Sequence, residues 1–174
     1  MEIYFALFLI FIFLIGIVFS SCFIFWHTSE EYSNKELMKN WNKIKNENNN
    51  EGHIECDYIY GLDNFIPSEL AILNLNEEYL TITNNNKFEY KLLLSKVKNI
   101  KILDKTELKN SAISINLGIV SSLAINKEKR QYLIILYETE ESKTLIFDIT
   151  KSKFGKLFYD EFIRKCSLSN SEEL

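Results

Sequence analysis

The chain has 174 residues, with 20 basic and 24 acidic side chains and a formal net charge of −4. That length holds one strongly apolar segment and one ordinary domain, and leaves no room for a large multidomain enzyme. Mild acidity argues against nucleic-acid binding, and three cysteines with two histidines argue against a disulfide scaffold or a four-ligand zinc site.

Ile3 to Trp26 reads IYFALFLIFIFLIGIVFSSCFIFW without one charged side chain. As a helix at about 1.5 Å per residue it reaches about 36 Å, against a hydrocarbon core of about 30 Å. Tyr4 and Trp26 stand at its ends, where amphipathic rings favour the headgroup boundary. The pattern predicts a transmembrane helix over 1–27 and a single-pass protein of the cell membrane. A Met-Glu start and so long a run favour an uncleaved anchor over a signal peptide. Lys35, Lys39, Lys43 and Lys45 follow the run and no Lys or Arg precedes it, which places the C-terminal domain in the cytoplasm. Unpaired Cys56 and Cys166 suit that reducing compartment. The alternative is an exported envelope protein, anchored by the same helix or lipidated at Cys22, because Phe19-Ser20-Ser21-Cys22 faintly resembles a lipoprotein cleavage box. Heavy use of Asn, Ile and Lys suits an AT-rich bacterial genome.

Residues 28–52 read as a juxtamembrane helix and linker. Thr28 or Ser29 supplies a cap, Leu37, Trp41 and Ile44 recur at helical spacing, and the polar run Asn46 to Gly52 ends the segment. From Ile54 the period becomes two. Leu70 to Leu75 reads as a first strand and Tyr79 to Thr83 as a second. Asn84-Asn85-Asn86 turns the chain into a third strand, on which Phe88, Tyr90 and Leu92 face inward. Val97, Ile100 and Ile102 mark a fourth strand whose phase slips, so a bulge is expected there. Tyr132 to Tyr137 is apolar on both faces and reads as the most buried strand. Thr139 to Ser142 turns, and Leu145, Phe147 and Ile149 face inward on the next strand. Phe154, Leu157, Phe158 and Phe162 form the apolar stripe of a helix over 152–167, with Ser152 as its cap. The domain is expected over 53–168, followed by a disordered tail over 169–174.

The fold class expected is α+β: an N-terminal transmembrane helix, then a bent antiparallel sheet closed by a C-terminal amphipathic helix. From Tyr60-Gly61-Leu62 to about Lys165 the sequence resembles small bacterial, especially clostridial, proteins with pleckstrin-homology-like (PH-like) domains. The segments carrying this are LLLSKVKNIKILDKTEL (92–108), YLIILYETEESKTLIFDI (132–149) and FYDEFIRK (158–165). Two departures stand out. SAISINLGIVSSLAIN (111–126) has one glycine, Gly118, where related chains carry a Gly/Ala-rich stretch. The closing helix has Phe158 or Phe162 in place of the tryptophan of eukaryotic PH domains, so phosphoinositide binding does not carry over. Residues 111–125 read as a buried helix, an extra strand pair or a small-residue packing surface.

Chemistry-bearing constellations are sparse. His53 and Cys56 fall three apart, but a structural zinc needs four ligands. Glu77-Glu78, Glu140-Glu141 and Asp160-Glu161 are adjacent carboxylates, which point apart on strands and helices and read as solvated turns and faces. No GxGxxG or GxxxxGK[ST] pattern is present. Seven lysines from Lys87 to Lys109, set against three carboxylates, make one cationic stretch in an acidic chain. Within it Lys96, Lys98, Lys101 and Lys105 are the candidate contacts for anionic lipid headgroups. The residues point to a non-catalytic, membrane-anchored binding or scaffold module. Its expected partners are the lipid bilayer, an unidentified protein and a second copy of the chain, with no nucleic acid, metal or cofactor.

Overall fold

The computed structural model describes residues 15–16, 18–20, 33–47, 51–111 and 130–169. The chain divides into two compact units, Met1–Asn42 and Lys43–Leu174. In the first, the described residues are helical, at 15–16, 18–20 and along helix α1 (33–47), whose last residues belong to the second unit. Residues 28–32, and the expectations placed on them, lie outside the described residues.

Among its described residues, the second unit is a seven-stranded antiparallel sheet with two further α-helices. Its strands are β1 (Gly52–Tyr60), β2 (Leu70–Leu75), β3 (Tyr79–Asn84), β4 (Glu89–Leu93), β5 (Val97–Asp104), β6 (Gln131–Glu138) and β7 (Ser142–Asp148). Helix α2 is Lys105–Asn110 and helix α3 is Gly155–Ser169. The strand order is β4-β3-β2-β1-β7-β6-β5, so two meanders meet where β1 pairs with β7. Alternation dictates which face is buried: Ile54, Cys56 and Tyr58 on β1, Ala71, Leu73 and Leu75 on β2, and Leu80 and Ile82 on β3 all point inward. The sheet curls until β4 and β6 approach each other, and Tyr90 Oη donates to Tyr137 Oη at 3.3 Å across the interior. Burial, with Tyr90 beside it, pushes the Tyr137 phenol pKa up. Phe158 and Phe162 of α3 fill the interior, edge to face with centroids 6.1 Å apart.

The opposite face carries a second, smaller core of Leu108, Tyr132, Ile134 and Ile146, with Ile59 and Leu103 against it. Leu108 reaches it from α2, whose start is set by a capping box: Asp104 Oδ1 accepts from the Thr106 and Glu107 N–H groups, and Glu107 accepts from the Asp104 N–H. The bulge expected on the slipped strand is present on β5. Lys98 and Asn99 both stand opposite Leu136, which returns Ile100 to the inside.

Several expectations need correction. No helix among the described residues is long and apolar enough to cross a membrane. The longest, such as α3 with 15 residues, reach about 22 Å against a core of about 30 Å. The fold class is therefore a seven-stranded antiparallel sheet with a few helices. The transmembrane helix over 1–27 is not supported, nor are the single-pass, cell-membrane and cytoplasmic-face placements that rested on it. Apart from 15–16 and 18–20, the segment on which that helix was read lies outside the described residues, Cys22 included. The sheet also begins earlier than expected, with β1 ahead of Leu70, and α2 was not foreseen. Helix α3 starts at Gly155 rather than near Ser152 and runs to Ser169, into the expected tail. Residues 112–129 and 170–174 lie outside the described residues.

Because Phe158 is wholly buried, Phe158→Ala should cost about 3–5 kcal/mol of unfolding free energy. Ile163→Ala, at a position 41% exposed on the same helix, should change it by less than about 0.5 kcal/mol. Chemical denaturation of both variants checks the pair, and equal shifts would remove α3 from the core.

Candidate functional site

β1 hands the chain to a loop over 61–69 that is built around Tyr58. The Tyr58 hydroxyl donates to the Leu62 carbonyl at 3.1 Å and accepts from the Leu62 N–H, holding the start of the loop. Its ring stands 5.2 Å from that of Phe65 and 6.0 Å from that of Phe147. Burial raises the Tyr58 phenol pKa, and the Leu62 hydrogen bond opposes the shift. Gly61 has φ +116°, and a Cβ there would lie 2.1 Å from the Thr144 carbonyl oxygen, so only glycine lets the loop pass β7. Between this loop and the start of β7 lies a cavity of about 430 Å³, lined by Tyr58, Tyr60, Leu62, Phe65, Pro67 and Thr144, with Asp63 and Lys143 as its charged groups.

The other side of the loop is tied to the β3–β4 turn through Asn84, which is buried at the end of β3. Its Oδ1 accepts from the Asn86 and Phe88 N–H groups at 3.1 and 3.0 Å. Its Nδ2 donates to Glu69 Oε2 at 3.3 Å and to the Asn64 carbonyl at 3.4 Å. The same Glu69 oxygen accepts from the Ile66 N–H at 3.2 Å. Ser68 (φ 69°) and Lys87 (φ 62°) hold left-handed conformations in these two connections. Phe88, expected to face inward, is 51% exposed because β4 begins only at Glu89. No motif marked this end of the sheet; the one readable signal is a glycine followed by a loop with apolar residues at Leu62, Phe65 and Ile66.

The four candidate lysines are only partly brought together. The β5 bulge puts Lys98 and Lys101 on the same outer face, where a regular strand would have placed them on opposite faces. Lys98 pairs with Glu138 at 3.0 Å, which offsets its charge. Lys96 is exposed in the short 3₁₀ turn before β5, and Lys105 opens α2 half-buried. Lys91, in the same cationic stretch, lies 3.1 Å from Glu89.

Elsewhere the ionisable groups serve the fold. His53 and Cys56 occupy opposite faces of β1. His53 Nδ1 sits 2.7 Å from Asn74 Oδ1, its cross-strand partner, and the Cys56 thiol donates to the Ala71 carbonyl. Among the described residues no three His, Cys, Asp or Glu side chains are grouped to hold a metal. Asp148 is buried with Arg130 Nη1 at 2.9 Å, and the Thr150 N–H donates to it at 3.0 Å. Glu161, read as part of a solvated pair, is instead buried. Lys45 Nζ reaches it at 2.5 Å, and Lys165 Nζ lies 3.7 Å from it and 3.0 Å from Glu77. The chain matches no protein-family model and no curated protein.

Gly61→Ala should destabilise by at least about 2 kcal/mol, since it adds a backbone clash to an unfavourable φ; a thermal melt measures it. The thiols give a pH test. Burial pushes Cys166 up to about 12 and Cys56 higher still, with Asp57 and Asp148 adding to the latter. At about pH 8.5 an unfolded thiol is half ionised, whereas both native thiols stay protonated. Iodoacetamide should therefore modify Cys56 and Cys166 only after denaturation, as read by peptide mass spectrometry. Because the native state holds these protons and the unfolded state releases them, stability should fall as pH rises above about 8.5.

Proposed function

We propose that the chain is a non-catalytic binding module whose sheet and closing helix form a PH-like domain serving a protein partner. The observation carrying this is the strand order β4-β3-β2-β1-β7-β6-β5 curled around Phe158 and Phe162 of α3. That frame suits a platform with ligand-bearing loops at one end, and fold alone assigns no chemistry. The placement of charge supports a non-catalytic role. Asp148, Glu161 and Lys165 are engaged in ion pairs of the fold, and the cavity beside Gly61 brings one carboxylate and one ammonium to its walls.

Chemical cross-linking of the full chain in native extracts, followed by reconstitution with the purified candidate, tests the reading. Saturable binding of one purified protein supports it. A small molecule converted by the purified chain, with loss of conversion in Asp63→Asn or Lys143→Met, overturns it in favour of an enzyme.

A second reading rests on the β5 bulge, which aligns Lys98 with Lys101: weak attraction to anionic lipid headgroups, aided by Lys96 and Lys105. Each lysine near such a surface contributes about 1 kcal/mol, less where Glu138 already neutralises Lys98. Lys96→Glu with Lys101→Glu should weaken sedimentation with phosphatidylserine vesicles, and salt should do the same to the parent chain. Equal sedimentation with neutral vesicles removes this reading.

A further inference from the structure

The pairing of β1 with β7 ends at Tyr60 and Ile146, whereas β6 stays paired with β7 as far as Ser142. The start of β7 therefore has a strand on one side only, because on the other the chain turns away at Gly61. Register fixes where its backbone groups point. The Ile149 N–H donates to the Gln131 carbonyl at the end of β6 at 2.9 Å, so odd-numbered residues of β7 bond to β6 and even-numbered ones face the β1 side. Thr144 conforms: its carbonyl oxygen lies 2.1 Å from where a Gly61 Cβ would stand. Among the described residues, no backbone hydrogen bond joins Ser142 or Thr144 to the 61–69 loop. Gly61 lies against the Thr144 carbonyl, which leaves the Thr144 N–H and both backbone groups of Ser142 along this edge. The cavity of about 430 Å³ adjoins them, lined by Ser142, Lys143 and Thr144 from β7 and by Tyr60, Phe65 and Pro67 from β1 and the loop.

Resting on the proposal of a protein-binding module, we infer that this cavity is a strand-addition slot, in which an extended peptide segment of the partner hydrogen-bonds through its main chain to Ser142 and Thr144. Three residues of extended chain, about 10 Å at about 3.3 Å per residue, span the stretch from Ser142 to Thr144. A row of strand-edge donors and acceptors is matched by a second extended backbone, which repeats the same groups at the same spacing. Charge selects among occupants. The walls carry Asp63 and Lys143, and the β6–β7 turn adds the exposed Glu140 and Glu141 next to Ser142. Nearby, Glu138 is paired with Lys98 and Glu89 with Lys91, and Glu69 offsets Lys87. The balance is negative, which opposes anionic lipid and nucleic acid and favours a segment carrying lysine or arginine.

The test uses the full chain as bait for a random peptide library displayed on phage, with selected peptides then synthesised and measured by fluorescence polarisation. The expected peptides carry net positive charge. Methylating single backbone nitrogens of such a peptide should weaken it at least about tenfold at alternate positions and leave it unchanged between them, since only alternate amides face β7. Ser142→Pro removes an N–H that points away from β6, at the first residue of the strand where proline is tolerated. It should weaken binding at least about tenfold, whereas Ser142→Ala should retain it. Hydrogen exchange at the Ser142 and Thr144 amides of the parent chain should slow in the complex, a readout that holds even if Ser142→Pro lowers the melting temperature. Peptides indifferent to methylation at every position, with unchanged exchange at both amides, overturn the slot while leaving a binding module in place, so the two proposals fail separately. A library that returns no binding peptide also overturns it. So does protection of the two amides that grows with the concentration of the chain alone, which assigns the edge to a second copy. Phosphatidylserine vesicle binding that Ser142→Pro abolishes overturns it in favour of lipid.

Discussion

β1 has to satisfy two halves of one sheet, and the rest of the domain follows from how it does so. Its residues Gly52 to Asp57 pair with β2, and its residues Asp57 to Tyr60 pair with β7. Where the strand changes partner, the register slips between Tyr58 and Tyr60, a local irregularity of the kind that bends and twists a sheet. Tyr58 is the inward residue at that corner, and its hydroxyl closes on both backbone groups of Leu62. Gly61 then threads beneath the Thr144 carbonyl. The bend, the loop and the cavity are thus three results of one strand serving two neighbours. Closing the curled sheet needs a bulky apolar plug, which α3 supplies with two phenylalanines rather than a single indole.

Charge inside this domain is arranged for geometry. Buried ion pairs contribute little net stability because desolvation offsets attraction, but they disfavour arrangements that would separate them. Glu161 collects Lys45 from α1 and Lys165 from one turn along α3, and Lys165 extends to Glu77 in the β2–β3 turn. Within the second unit, Lys45, α3 and the β2–β3 turn, distant in sequence, are joined through the Glu161 carboxylate and the Lys165 ammonium. Arg130 and Asp148 do the same for the start of β6 and the end of β7.

The strands β2 to β4 were legible because each alternates over a half-buried face, β6 because its run is apolar on both faces, and the β5 slip because three apolar residues fell out of phase. β1 was not. The period of two starts at Ile54, where inward Ile54, Cys56 and Tyr58 alternate with His53, Glu55 and Asp57, but it follows directly on a polar break, and the first strand expected from sequence begins only at Leu70. Burial of Glu161 and Lys165 was invisible because the partners that make it tolerable lie elsewhere in the chain, Lys45 being 116 residues from Glu161. The α2 start could have been read from Asp104 and Glu107 at capping-box spacing. The cavity and the exposed position of Phe88 depend on turn conformations at Gly61, Ser68 and Lys87, which composition does not specify. The N-terminal apolar run shows the opposite hazard: hydropathy alone produced a spanning helix that no described helix matches.

The β5 bulge has a consequence for the life of the chain in a crowded solution. Among the described residues β5 is a terminal strand of the sheet, eight residues long, and a strand at a sheet edge is the kind of template on which another chain can pair. Doubling Lys98 and Asn99 against one residue of β6 breaks the even spacing that an incoming strand would need, and Lys98 and Lys101 project from the same stretch. The irregularity therefore works as insulation against fibrous self-assembly, whatever else the lysines do.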